Sequence, residues 1–314
     1  MILLCGIRSE PPLAMVAAEL EQIGAEFAWF DQRQALRTRL DVAIANGQLA
    51  GRLRTPEVDV DLASVRAAYV RTMDDRFLPE VESLAADAPK RRRVRALHDR
   101  LYAWLAVTPA MVVNRSVAQA SNAAKPYQLA IIAETGFAIP ETLITNDPAQ
   151  VRAFRDLHRL VVYKSMSGER SIVSSLTDLD LERLDRLRLC PVQFQAWVPG
   201  PDVRVHVVGY ETFAACVRTA AIDYRYPNRS GELPPEITPF ELSGALAERC
   251  VILARRLGLE LAGIDLRMAA HDDQPVCLEV NPSPAFSYYE LAANLPIAAA
   301  VARRLAEAHL PNEV

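Results

Sequence analysis

The 314-residue sequence predicts a protein of the α/β (α+β) class built as three packed units. Three observations carry that expectation. In the first half, short apolar runs take turns with longer stretches whose apolar residues recur at helical spacing. From Val192 onward, strand-like stretches follow one another with a single helical stretch among them. The chain is also too long for one small core.

The first strand is Ile2–Cys5, and the helix after it runs from about Leu13 to Ile23, with Gly24 as its stop. FAWF, VDVDL and AAYVR (67–71) supply further strands, with Arg71 at the end of the last. KRRRVRALHDRLYAWLAV (90–107) places Val94, Leu97, Leu101, Trp104 and Leu105 on one helical face. Its basic start is read either as a solvated helix end or as a docking surface for an acidic peptide or phosphate. MVVN (111–114) is a strand, and the helix Pro126–Thr135 follows, stopping at Gly136. FAIPETLIT and LVVYKS are strands around a helix over Pro148–Leu157 that Asp147 and Pro148 start. Strands at 192–198, 203–208, 212–218, 263–268 and 276–281, a helix at about 241–257 and a last helix from Ile297 to Ala308 complete the chain. The units are expected at 1–113, 114–194 and 195–314.

A net charge of −4 argues against nucleic acid as the main partner, since phosphate neutralisation needs a concentrated basic surface. The five cysteines are scattered and form no CxxC, which points away from a disulfide framework or zinc cluster and toward a reducing, cytoplasmic setting. No stretch has the length of a membrane span, and the apolar start MILLCGI reads as a strand rather than a targeting signal.

The chemistry concentrates near the C-terminus. In CLEVNPSPAF (277–286) the strand period puts Glu279 and Asn281 on one face. Asp265 lies fourteen residues before Glu279, across a loop, AAHDDQP, suited to a hairpin. Two carboxylates and an amide carbonyl suit a hard cation such as magnesium, which shares its shell with water and phosphate. No GxxxxGK[ST] or GxGxxG supplies a phosphate cradle. Lys164, ending an apolar strand before SMSGERS, is read either as part of such a cradle or as a snorkelling lysine on a surface hairpin. His206 reads as a sheet histidine and Cys277 as a small buried filler.

Taken in order, NRSVAQASNAAKPYQ, VVYKSMSG, FQAWVPGPDVRVHVVG, GIDLRM and CLEVNPSPAF resemble the ATP-grasp ligases, in particular the RimK-type glutamate ligases and the MvdD-type graspetide macrocyclases. The resemblance covers about residues 110–314. It implies a pre-grasp domain followed by two lobes that hold ATP between them. Lys125 and Lys164 would contact phosphate, beside a loop carrying Ser165, Ser167 and Gly168. Gln195, Trp197 and Val198 would form the hinge, with the two latter residues offering backbone groups to adenine. The family often has an acidic residue where Ala196 stands. Asp202 would bond the ribose or the adenine edge. Arg204, Arg218 and Arg225 would face the transferring phosphoryl group, although surface ion pairing is the other reading of the last two. Asp265, Glu279 and Asn281 match the family's ligands for Mg2+ or Mn2+.

The implied reaction activates a carboxylate as an acyl-phosphate, releases ADP, and passes the acyl group to an amine or, less often, a hydroxyl. The acceptor is expected to be a ribosomally made precursor peptide or an amino acid, with an oligomer of the chain also implied. A nucleotide-binding regulator and a kinase on the same scaffold are the competing readings.

Overall fold

The computed structural model describes residues 1–45, 48–165, 172–219, 234–268 and 275–309. The chain opens with β1 (Ile2–Gly6), α1 (Pro11–Gln22) and β2 (Phe27–Asp31), then β3 (Arg39–Ala45), β4 (Gln48–Arg54) and β5 (Asp59–Asp61), then β6 (Ala67–Arg71), α2 (Pro89–Val107) and β7 (Met111–Val113). A parallel sheet of order β2-β1-β6-β7 forms its centre, and β3-β4-β5 make a separate antiparallel sheet. The unbroken apolar run of β1 fits a parallel strand covered on both faces. Leu3, Cys5, Ala68 and Val70 face the apolar stripe of α2, including Val94, Leu101 and Trp104. Their alternating neighbours Ile2, Leu4, Ala67 and Tyr69 face α1 and a helix from the far end of the chain. The expected helical face of α2 is thus the buried one.

Next come α3 (Ser116–Gln119), α4 (Lys125–Glu134), β8 (Thr142–Thr145), α5 (Pro148–His158), β9 (Val161–Ser165), β10 (Ser174–Ser175), α6 (Asp178–Leu181) and β11 (Val192–Ala196). The four strands form an antiparallel sheet of order β10-β9-β11-β8. Its small core joins Val151 of α5 to Val161 and Phe194. Asp147 caps α5 through the Ala149 N–H, as its sequence position suggested.

The last part comprises β12 (Asp202–Val208), β13 (Glu211–Arg218), β14 (Glu236–Pro239), α7 (Gly244–Arg256), β15 (Leu261–Met268), β16 (Pro275–Asn281), α8 (Ser287–Ala293) and α9 (Ile297–Ala306). The five strands are antiparallel in the order β14-β13-β12-β15-β16. Helix α7 and, unexpectedly, α4 pack on one face of this sheet, where Leu129 and Ile132 join Val205, Leu253 and Ile264. Residues 125–137 therefore pack with the last sheet although they precede β8, and the expected boundary at 194/195 falls inside β11. The strand expected over FAIPETLIT begins only at Thr142, because Phe137 turns into the other core and Ala138 bridges to Val276 beside β16.

The β3–β4 hairpin, β14 and α8 lie where no strand or helix was expected. The hairpin's charged sequence hides its alternation, and its buried members Leu40 and Leu53 are few and spread apart. Among the described residues no helix is long and apolar enough to cross a membrane.

Candidate active site

Three adjacent strands build the floor of the site. Register sets Arg204 of β12 opposite Asp265 of β15, and Asp265 opposite Glu279 of β16. Two residues further along the same face, His206, Gly263 and Asn281 form the next row; two back, Asp202 stands opposite Arg267. The hairpin inferred from the sequence spacing exists, and its period-2 geometry brings Asp265, Glu279 and Asn281 to one cavity of about 560 Å3. Lys164, Gln195, Trp197, Val198, Asp202 and Arg204 line the same cavity.

Charges in this floor are paired across elements. Lys125 Nζ and Lys164 Nζ both donate to Glu279 Oε2, at 3.1 and 3.0 Å. Lys125 also reaches Asn122 Oδ1 at 3.0 Å. Arg204 Nη1 donates to Asp265 Oδ1, and its guanidinium lies 5.7 Å from the Tyr289 ring centre. All three cations are buried, at 5%, 7% and 6% exposure for Lys125, Lys164 and Arg204. Burial pushes the Glu279 carboxyl upward, but Lys164 and Lys125 together outweigh it and hold the group below the usual carboxylate range. Three cations against two carboxylates leave the floor with an excess of one positive charge, an electrostatic setting for a polyanion.

Local sequence explains how each lysine arrives. Gln128 stands one helical turn after Lys125 on α4, so both point the same way. Its amide accepts from the Val280 N–H at 3.0 Å and donates to the Val280 carbonyl at 2.8 Å, pinning the helix start beside Glu279. Lys164 comes from the other sheet, on β9 opposite Gln193, and crosses the cavity to its partner. Asn281 is steadied by the turn that follows it, the Ser283 N–H donating to its Oδ1 at 2.9 Å.

Asp202 lines the cavity and is paired with an arginine of the neighbouring strand. Both its oxygens receive Arg267, Nε to Oδ1 at 2.9 Å and Nη2 to Oδ2 at 3.0 Å. Arg267 also donates to the Val198 carbonyl at 2.8 Å and lies 4.1 Å from the Trp197 ring centre. The Trp197 N–H in turn donates to the Leu160 carbonyl at 2.9 Å. Arg267 escaped the sequence reading because one arginine in an apolar strand has no periodic signature; the GIDLRM motif contains it, but its partner Asp202 is 65 residues away.

Gln195 is buried and donates to Thr142 Oγ1 at 3.0 Å, so its amide braces β11 against β8. Ser165 sits exposed at the end of β9. Arg218 is exposed at the end of β13, 4.0 Å from Glu236, and does not line the cavity. Ser167, Gly168 and Arg225 lie outside the described residues. His206 is fully buried, 5.2 Å from the Tyr289 ring centre, and burial, then the nearby Arg204 charge, pushes its pKa well below 6.5. Cys277 is buried, as its filler role requires.

Among the described residues no three or more His, Cys, Asp or Glu side chains converge. Asp265, Glu279 and Asn281 are an all-oxygen set too small to enclose an ion, which fits a hard cation that completes its shell with water and phosphate oxygens.

The RimK-like ATP-grasp domain model matches residues 120–305, and the chain belongs to that family. It is 28% identical over 202 residues to a probable alpha-L-glutamate ligase 2 of Shewanella frigidimarina; the match covers 60% of this chain and 65% of that relative, just under two thirds of its length. The fold is that of a Chryseobacterium gregarium RiPP-associated ATP-grasp ligase solved with ADP and a leader and core peptide: TM-score 0.82 at 22% identity, over 97% of this chain and 96% of the other. The ATP-grasp ligase PsnB, solved with a phosphomimetic variant of its minimal precursor, Mg and ADP, superposes with a TM-score of 0.80 at 27% identity over 97% of both chains.

Proposed function

We propose that the protein is an ATP-dependent carboxylate–amine ligase that works through an acyl-phosphate and releases ADP and phosphate. The observation that carries this reading is the convergence of Lys125 and Lys164 on Glu279, beside the Arg204–Asp265 pair, with Lys164, Glu279, Arg204 and Asp265 lining one cavity. Adenine lies at the hinge end, against Trp197 and Val198. Because Arg267 takes the Val198 carbonyl and Leu160 takes the Trp197 N–H, the hinge offers adenine the Trp197 carbonyl and the Val198 N–H. The triphosphate runs toward the lysines.

Lys125 and Lys164 exchange part of their bonding from Glu279 to phosphate oxygens, and Arg204, held by Asp265, faces the transferring phosphoryl group. Asp265, Glu279 and Asn281 would hold magnesium, which when bound neutralises charge on the phosphates. A carboxylate oxygen is too basic to leave; phosphorylation makes it a leaving group, and the amine then displaces phosphate. Burial of the three cations keeps bulk water from screening them.

The substrate class we favour is a precursor peptide. Support comes from the PsnB complex, whose partner is a precursor and whose chain aligns with this one over nearly its whole length. An amino acid acceptor is the second reading, favoured by the glutamate-ligase relatives.

The test is incubation with ATP, magnesium and candidate substrates, following ADP, AMP, phosphate and product mass. Ligation yields ADP and phosphate together, and loss of water from a peptide marks cyclisation. AMP release, or a phosphorylated product that persists, overturns the acyl-phosphate ligase. Lys164→Ala is expected to reduce turnover by about 100-fold, the scale of removing one preorganised charge donor; an unchanged rate removes Lys164 from the site.

A further inference from the structure

The wall behind the hinge is thin. A second cavity, of about 220 Å3, lies beyond it against Arg155, Leu160 and Leu176, and two residues, Val162 and Trp197, line both this cavity and the main one. The indole therefore stands as a partition. Its main chain is tied to Leu160, and its ring is held by the Arg267 guanidinium, itself fixed on Asp202 and on the Val198 carbonyl. Arg267 is buried at 6% exposure, and its planar fork satisfies a carboxylate while its face covers an aromatic ring, a combination a lysine cannot make.

We infer that Trp197, latched by Arg267, sets the size of base the nucleotide site admits: the indole and Val162 close off the space beyond the exocyclic amine of adenine. The inference rests on the reading that adenine lies at the hinge. It reassigns Asp202 from a ribose contact to the anchor of a positioning residue. It also predicts a latent extension of the site, since removing the partition joins the two cavities while the Trp197 N–H bond to Leu160, a main-chain contact, stays in place.

The probes are ADP and N6-benzyl-ADP, with affinities measured calorimetrically on the full chain and with magnesium present, alongside thermal melting. The native protein is expected to bind ADP and to bind the benzyl analogue at least tenfold more weakly. Trp197→Ala is expected to bind the analogue at least tenfold more tightly than the native protein does, with ADP affinity changed by less than that. Val162→Ala opens the same wall without touching the hinge and is expected to shift the preference in the same direction, which keeps the test decisive if the first variant melts early. Arg267→Lys, which keeps charge but frees the indole, is expected to relax the discrimination between the two ligands without abolishing ADP binding.

Native protein that binds the analogue as tightly as ADP overturns the partition. So do folded variants at both wall positions that bind ADP but gain nothing for the analogue. A native chain that binds no ADP would instead overturn the nucleotide reading on which the inference depends.

Discussion

Gly263 stands in β15 between His206 and Asn281, and the Arg204 side chain crosses the space where a Cβ would be. A methyl there would lie 2.8 Å from both Arg204 Cζ and Pro284 Cβ, too close for either to stay. Gly263→Ala is therefore expected to displace Arg204 from Asp265 and to reduce ATP turnover at least tenfold, with a smaller effect on melting; turnover equal to the native rate would show that Arg204's place is not critical. His206 supplies a pH prediction. Its folded pKa lies below its unfolded value, so the unfolded state binds the extra proton: stability is complete above about pH 6.5 and falls on acidification below it, by at most about 1.4 kcal/mol per pH unit for one proton. His98, pushed down by burial and partly restored by Asp75, adds a loss of the same sign. His206→Phe should flatten the slope of chemical-denaturation stability between pH 7 and 5 without removing it. At this scale the sequence revealed Asp265, Glu279 and Asn281, because a strand period of two and a loop of hairpin length are local facts. It hid Arg267 and Gln128, whose partners are set by packing between elements far apart in the chain.

Strand β16 carries two of the three residues proposed to hold a metal, Glu279 and Asn281, yet it is the edge of its sheet. An open edge near a charged site invites slippage or pairing with another chain. Here it is closed by side-chain and loop contacts: Gln128 bonds both main-chain groups of Val280, and the Cys277 N–H donates to the Ala138 carbonyl at 2.8 Å. Asn114 ties the turn beyond, donating to the carbonyls of Leu261 and Pro282, both at 2.6 Å. Gln128→Ala leaves buried main-chain groups without partners and is expected to cost about 1–3 kcal/mol in chemical denaturation. It should also weaken ATP binding by letting the start of α4, with Lys125, move away from Glu279. A stability loss with native nucleotide affinity would separate the two roles. The helix α4 itself was expected from the sequence, with Gly136 as its stop. Its destination, the last sheet rather than the one next in sequence, was not, since nothing in an amphipathic pattern names the surface it will cover.

The whole molecule is closed by its ends. Helix α9 lays Ile297, Val301 and Leu305 on the same face of the first sheet that α1 covers, next to Ile2, Leu4 and Tyr69. Arg304 Nε and Nη2 both donate to Glu260 Oε2, at 3.0 and 2.9 Å, tying the helix to the residue that leads into β15. The order of strand-like and helical stretches was visible in the sequence; that β1 and α9 share one core was not, because hydrophobic periodicity shows that a face is buried and not against what. Deleting the chain from Ile297 onward is expected to leave protein that fails to accumulate in soluble form, read by expression and fractionation; a soluble product with native ADP binding would show that the first sheet closes without it.

This shared core has a consequence for how the protein is made. The first strand leaves the ribosome long before the helix that completes its cover. Until that helix is made, Ile2, Leu4, Ala67 and Tyr69 are incompletely covered, and an incompletely covered apolar sheet is the kind of surface that nascent chains aggregate through. Folding of the first sheet is thus coupled to synthesis of α9, and the long sequence separation of that contact favours slow closure. Slower elongation would lengthen that exposed interval, so yield of folded protein should fall as elongation slows and rise with chaperone supply.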